Sequence, residues 1–94
     1  MRTEMDQHII NAIKKKREDA GLSQETLSER LGFKSNGFVG QVESARSEKK
    51  YNSNHINKAA LIFECSPRDF LPVVPFPENK IIPPLRRRGQ QPRR

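Results

Sequence analysis

Between positions 34 and 54 the chain gathers the side chains best suited to grip a polar anion: Lys34, Ser35, Asn36, Gln41, Arg46, Lys49, Lys50, Tyr51 and Asn54. Asn36 and Gln41 carry amides that present a donor and an acceptor together, the arrangement that pairs with the exposed edge of adenine. Lys34 and Ser35 are suited to a base or a phosphate. Arg46, Lys49, Lys50, Tyr51 and Asn54 supply cations and donors for phosphate oxygens. Gly37, between Asn36 and Phe38, leaves room for close approach of another surface. The plainer alternatives stand beside these. Asn36 is then only a helix cap, Gln41 a solvated surface residue, and the basic stretch an ordinary loop.

Net charge bears on these readings, but it says more about the tail than about the folded part. The 94 residues carry a formal charge of +7, with a pI near 10.1, which suits a polyanionic partner such as nucleic acid. That charge is unevenly spread: residues 1–71 hold 12 Lys and Arg against 10 Asp and Glu, whereas residues 72–94 hold 6 against Glu78 alone. Catalysis has little to stand on, because neither a phosphate-cradling glycine loop nor a recognisable nucleophile set is present. The chain is therefore not read as an enzyme, and no cofactor is expected. His8, His55 and Cys65 lack zinc-ligand spacing, so no metal is expected either. A single cysteine implies no internal disulfide, and Cys65 is expected to pack as a small apolar residue. The polar start, MRTEMDQHII, and the lack of a long apolar run point to a cytoplasmic protein with no membrane segment.

The elements that would position these groups are helical. Met5, Ile9, Ala12, Ile13 and Ala20 fall at three- and four-residue steps, predicting a first helix from Thr3 or Asp6 to Ala20, stopped at Gly21. Ser23 caps a second helix with Leu27 and Leu31 inward, ended by Gly32. A third is predicted over about 36–43, capped by Ser35 or Asn36, with Val39 and Val42 buried. Gly37 and Gly40 each cost it roughly 1 kcal/mol relative to alanine, so its neighbours must hold it. Asn52 or Ser53 caps a fourth, with Ile56, Ala59, Ala60 and Phe63 on its core stripe. Ser66-Pro67-Arg68-Asp69 reads as the start of a short fifth helix, stopped at Pro72. The expected fold is all-α: a five-helix, helix-turn-helix domain over 1–71 and a proline-rich basic tail over 72–94, extended or disordered.

KKKREDAGLSQETLSERLG, FVGQVES and INKAALIFECSPRDFL, in that order, make the stretch from Ile13 to Leu71 resemble the XRE family of Cro- and cI-type repressors, whose fold is lambda-repressor-like. The resemblance implies a structural pair between Arg17 and Glu43, phosphate contact by Gln24, and a small Ser28 that lets the third helix pack closely. It implies further that the third helix enters the major groove of double-stranded DNA, with Ser35, Asn36, Gly37 and Gln41 meeting base edges. Two features depart from the family pattern. The turn FKSN is one residue longer, and Ser44-Ala45 stands where Asn-Gly is usual.

The implied role is a transcriptional regulator, a repressor, acting as a homodimer on a two-fold site. A second reading is an antitoxin-like interaction module whose tail binds a protein partner. A third is a scaffold that no longer reads DNA. The tail itself supports several uses. Arg86, Arg87 and Arg88 can act as an arm on DNA, and Val73-Val74-Pro75-Phe76 can dock on the last two helices or, with Leu61, on a second subunit. Otherwise it is a disordered solubilising extension.

Overall fold

The computed structural model describes residues 1–85; the arginine run Arg86–Arg88 lies outside them. The described chain is mostly helical. Strand β1 (Arg2–Thr3) leads into α1 (Glu4–Asp19), followed by α2 (Gln24–Arg30), α3 (Phe38–Glu43) and α4 (Ser53–Phe63). A single 3₁₀ turn (Pro67–Phe70) stands where a fifth α-helix was expected. Strand β2 (Ile81–Ile82) then returns to pair antiparallel with β1, Arg2 opposite Ile82 and Thr3 opposite Ile81.

Residue-specific cap chemistry sets most of these boundaries. Thr3 and Asp6 form a capping box at the start of α1, as Asn52 and His55 do at α4. The Ser23 hydroxyl accepts from the Thr26 amide at α2. At the other ends, Gly21 (φ +69°) and Gly32 (φ +94°) take the left-handed conformation. The following amides then reach back five residues, Leu22 to the Arg17 carbonyl and Phe33 to the Ser28 carbonyl, closing both helices. Glu64 plays the same part after α4 with a side chain poorly suited to it (φ +53°).

The core draws on every helix: Ile9, Ile10 and Ile13 from α1, Leu27 from α2, Val39 and Val42 from α3, and Ala59 and Ala60 from α4. Phe70, fully buried at the end of the 3₁₀ turn, fastens α1 to α4. One turn suffices there because Ser66 and Asp69 cap it reciprocally and Pro67 presets its first residue.

The start of α3 differs from expectation. The helix begins at Phe38, with Gly37 at its cap position and no side-chain cap of its own. Ser35 turns its hydroxyl to the Gly37 amide, at 3.3 Å, and so sits with Asn36 in the turn before the helix. The orphan amide of Val39 is satisfied from another helix instead. Buried Ser28 on α2 accepts it at 3.0 Å while donating to the Gln24 carbonyl at 2.9 Å.

Residues 72–85, irregular apart from β2, fold back onto the start of the chain. The Glu4 amide donates to the Lys80 carbonyl and the Met5 amide to the Asn79 side-chain oxygen, so the tail covers two orphan donors of α1. The Leu85 amide donates to the Ala45 carbonyl just beyond α3.

Candidate nucleic-acid interface

The α2–α3 pair is the best-defined part of the candidate site. Arg17, near the end of α1, reaches α3 through a two-pronged contact: Nε to Glu43 Oε2 and Nη2 to Glu43 Oε1, both at 2.9 Å. Its third prong, Nη1, donates to the Leu22 carbonyl at 2.8 Å. The Glu43 side chain is only 3% exposed, and hydrogen bonding to it raises the Arg17 pKa against the opposing effect of burial. Gln24 joins the cluster by donating from Nε2 to Glu43 Oε1 at 2.9 Å. A methyl at Gly40 would lie 3.1 Å from Gln24 Oε1, so the close approach that Gly40 permits is that of α2. A methyl at Gly37 would meet only the Ser35 hydroxyl, at ordinary contact distance.

These restraints leave an open face. Val39 and Val42 are buried, which turns Gln41 outward on α3. Asn36 and Ser35 are exposed in the turn before it, and Gly37 is half-buried. Lys34, Gln24, Arg46, Lys49 and Asn54 are exposed as well. The amide groups of Asn36 and Gln41 hydrogen-bond no other side chain among the described residues, and are free to meet a ligand. Gln24 is partly committed, since one of its two amide protons serves Glu43. Lys49 carries its ammonium over the Phe38 ring, 6.0 Å from the centroid. Asn54 stands in the first turn of α4, where free backbone amides also favour an anion.

Two residues of the expected phosphate clamp are used otherwise. Tyr51 is buried, not displayed. Its ring sits 6.1 Å from Phe38 and 6.0 Å from His55, and its hydroxyl has no hydrogen-bond partner among the described residues. Burial pushes its pKa well above the ordinary phenol value. A hydroxyl so enclosed cannot meet a phosphate, so Tyr51 belongs to the core. Lys50 turns its ammonium back to the Met1 carbonyl (2.9 Å) and Asp6 (3.3 Å), tying the basic loop to the N-terminus. Burial alone would raise the Asp6 carboxyl, but the Thr3 amide and hydroxyl, with Lys50, hold it below its usual value.

Around Tyr51 lies an aromatic cluster that sequence reasoning missed. Phe33 stacks on Phe38 at 3.9 Å, and His55 lies 5.3 and 5.2 Å from the two rings. Burial lowers the His55 pKa, and its Nδ1 accepts the Asn52 amide at 3.1 Å, which requires an unprotonated nitrogen. The spacing of Phe33, Phe38, Tyr51 and His55 has no common period, so only the fold brings them together.

Arg2 was missed too. It is 4% exposed and donates to four backbone carbonyls: Lys49 from Nε (2.7 Å), Ser44 from Nη1 (2.9 Å), and Val42 (2.6 Å) and Gln41 (3.3 Å) from Nη2. Burial lowers its pKa, an effect opposed by Asp6 and Glu48.

Other expectations concern residues away from this face. Cys65 is half-buried against the core, and burial pushes its thiol up. Val73 and Val74 are exposed, so they do not dock on the chain's own helices; Phe76 instead meets His8, with centroids 6.1 Å apart. No group of three or more His, Cys, Asp or Glu among the described residues is placed to hold a metal ion. No helix among them is long and apolar enough to cross a membrane. Comparison with protein-family models, with curated proteins and with solved structures returns no match for this chain.

Proposed function

We propose that this protein binds double-stranded DNA sequence-specifically and acts as a transcriptional repressor, with α3 and the turn before it in the major groove. The observation that carries this reading is the pairing of a rigidly held α3 with an outward face whose amides are uncommitted. Arg17, Gln24 and Ser28 all grip α3 from α1 and α2, while Asn36 and Gln41 remain exposed. That is the arrangement in which a second helix packs across the first and presents its leading residues to base edges. The lambda-repressor-like, helix-turn-helix reading of the fold belongs to this proposal, with the 3₁₀ turn taking the place of the last helix.

In the proposed complex Asn36 and Gln41 each pair with a base, Ser35 and Gly37 allow the approach, and Lys34, Gln24, Arg46, Lys49 and Asn54 contact phosphates. Lys50 acts through the loop it anchors. Arg86, Arg87 and Arg88 follow directly on Leu85, which is tied to the exit of α3, and serve as an arm on the DNA. One short helix reads few base pairs, so the functional unit is a homodimer. Leu61 (68% exposed), Leu71, Val73 and Val74 are exposed apolar side chains available for its interface, and a different protein partner for the tail would use the same residues.

Selection of bound sequences from a random duplex pool, at two salt concentrations, tests the reading. An enriched palindrome that survives the higher salt is the expected result. Binding without enrichment, lost as salt rises, would reduce the chain to a basic surface with no sequence preference.

A further inference from the structure

α3 spans six residues, too few to persist by themselves, and it is suspended from both ends of α1. Arg17 near the C-terminus of α1 holds the Glu43 side chain. Arg2, in the strand that leads into α1, holds the Gln41 and Val42 carbonyls in the last turn of α3 and, through Lys49, the far side of the loop that follows. A guanidinium suits this task because its five N–H donors fan out in one plane and its charge complements the negative end of a helix. Those carbonyls have few other donors. Ser44 receives the Ser47 amide at 3.2 Å, and Gln41 shares the Ser44 amide at 3.3 Å.

What keeps Arg2 in place comes from the other end of the chain. Ile82 pairs with Arg2 itself, the Lys80 carbonyl takes the Glu4 amide at 2.9 Å, and the Glu4 carboxylate takes the Lys80 amide at 2.8 Å. Asn79, in the left-handed conformation (φ +47°), caps the Met5 amide at 3.0 Å. The Leu85 amide then closes on the Ala45 carbonyl at 2.8 Å, so the same segment touches the start of α1 and the exit of α3. Sequence separations of 74 to 76 residues make this a tertiary tie, not a local turn.

We infer that Arg2, held by residues 79–85, is a positioning residue for the DNA-reading surface: Arg2 and this segment form a clamp that fixes the end of α3 and the 44–50 loop. The inference rests on the DNA-binding reading above. Lys49 and Arg46, proposed to touch phosphate, sit on the loop that the clamp fixes, and Gln41, proposed to touch a base, gives its carbonyl to it. A released clamp therefore misplaces base-reading and phosphate contacts together while leaving the core intact.

The test uses the full chain and two variants. Arg2→Lys keeps the charge but concentrates its donors on one atom, which cannot span four carbonyls. The double variant Asn79→Ala/Leu85→Pro leaves Arg2 untouched and removes two of the ties that hold it, since proline has no amide proton. Amide hydrogen exchange is followed at Ser44 and Ser47, with Val39 as the internal control. Affinity is measured for the duplex enriched by selection and for a scrambled duplex of equal length. Both variants should speed exchange at Ser44 and Ser47 about tenfold with Val39 unchanged. Both should weaken binding to the enriched duplex about tenfold, with a smaller loss on the scrambled one. Unchanged exchange at Ser44 and Ser47 in both variants would overturn the clamp. Faster exchange with undiminished preference for the enriched duplex would overturn the positioning role. Equal affinity of the unaltered protein for both duplexes would instead sink the DNA-binding reading, and exchange, measured without DNA, would decide the clamp alone.

Discussion

Two arginines hold α3, and they differ in what they grip. Arg17 meets a side chain, Glu43, in a geometry that only a carboxylate satisfies. Arg2 meets four main-chain carbonyls, which any residues at those positions would supply. The first contact leaves a mark on two positions of the sequence; the second leaves a mark on one. The energetic consequences differ as well. Without Arg17 a carboxylate is stranded in a nearly closed site, whereas without Arg2 the groups left unpaired are neutral carbonyls, which cost less to strand than a charge.

That difference orders the effects of substitution. Arg17→Ala should cost the most, ~3–5 kcal/mol, because the buried Glu43 loses its cation. Urea unfolding would show this as a large drop in midpoint, and an unchanged midpoint would contradict the pairing. Arg2→Ala should cost less, about 2 kcal/mol, from charge-assisted hydrogen bonds whose acceptors are neutral carbonyls. If it matched or exceeded Arg17→Ala in the same assay, the two grips would be energetically alike and the contrast would fail.

A smaller, pH-dependent effect belongs to His55. Its pKa is lowered in the folded protein, so its contribution is full above the unfolded value of about 6.5 and is lost as pH falls through the folded value. Protonation also removes the acceptor for the Asn52 amide at the start of α4. The melting temperature should therefore fall between pH 7.5 and pH 5.5, and His55→Gln, which retains an acceptor, should flatten that part of the profile. A profile identical in the variant would remove His55 from the account. The smallest effect is expected at Tyr51. Its hydroxyl is buried without a partner among the described residues, so Tyr51→Phe should leave stability within about 0.5 kcal/mol or raise it slightly. A substantial loss of stability would mean that the hydroxyl is satisfied after all.

The same contrast explains what could be read in the sequence. Helix ends set by residue-specific caps were legible: Ser23 before α2, Gly21 and Gly32 after α1 and α2, and, before α4, Asn52 as one of two candidates with Ser53. The core positions Val39, Val42, Ala59 and Ala60 followed from helical spacing. The start of α3 was not legible, because Ser35 and Asn36 are both good caps and the amide of Val39 is served instead by Ser28 from α2. Tyr51 misled because SEKKYNS is polar around it, while its burial depends on Phe38 and His55 lying elsewhere in the chain. The return of residues 79–85 to the N-terminus was equally hidden. Prolines on either side announce extended chain, but nothing in Ile81-Ile82 names Arg2 and Thr3 as its partners.

The claim that most needs a direct test is that the outward face of α3 and its leading turn reads bases. The measurement is the affinity of the full chain and of Asn36→Ala for the enriched duplex and for a scrambled duplex of equal length, at one salt concentration. The loss of a two-pronged contact to adenine predicts a roughly 5- to 100-fold weakening on the enriched duplex and almost none on the scrambled one. Equal weakening on both duplexes, or none on either, would contradict base reading at Asn36.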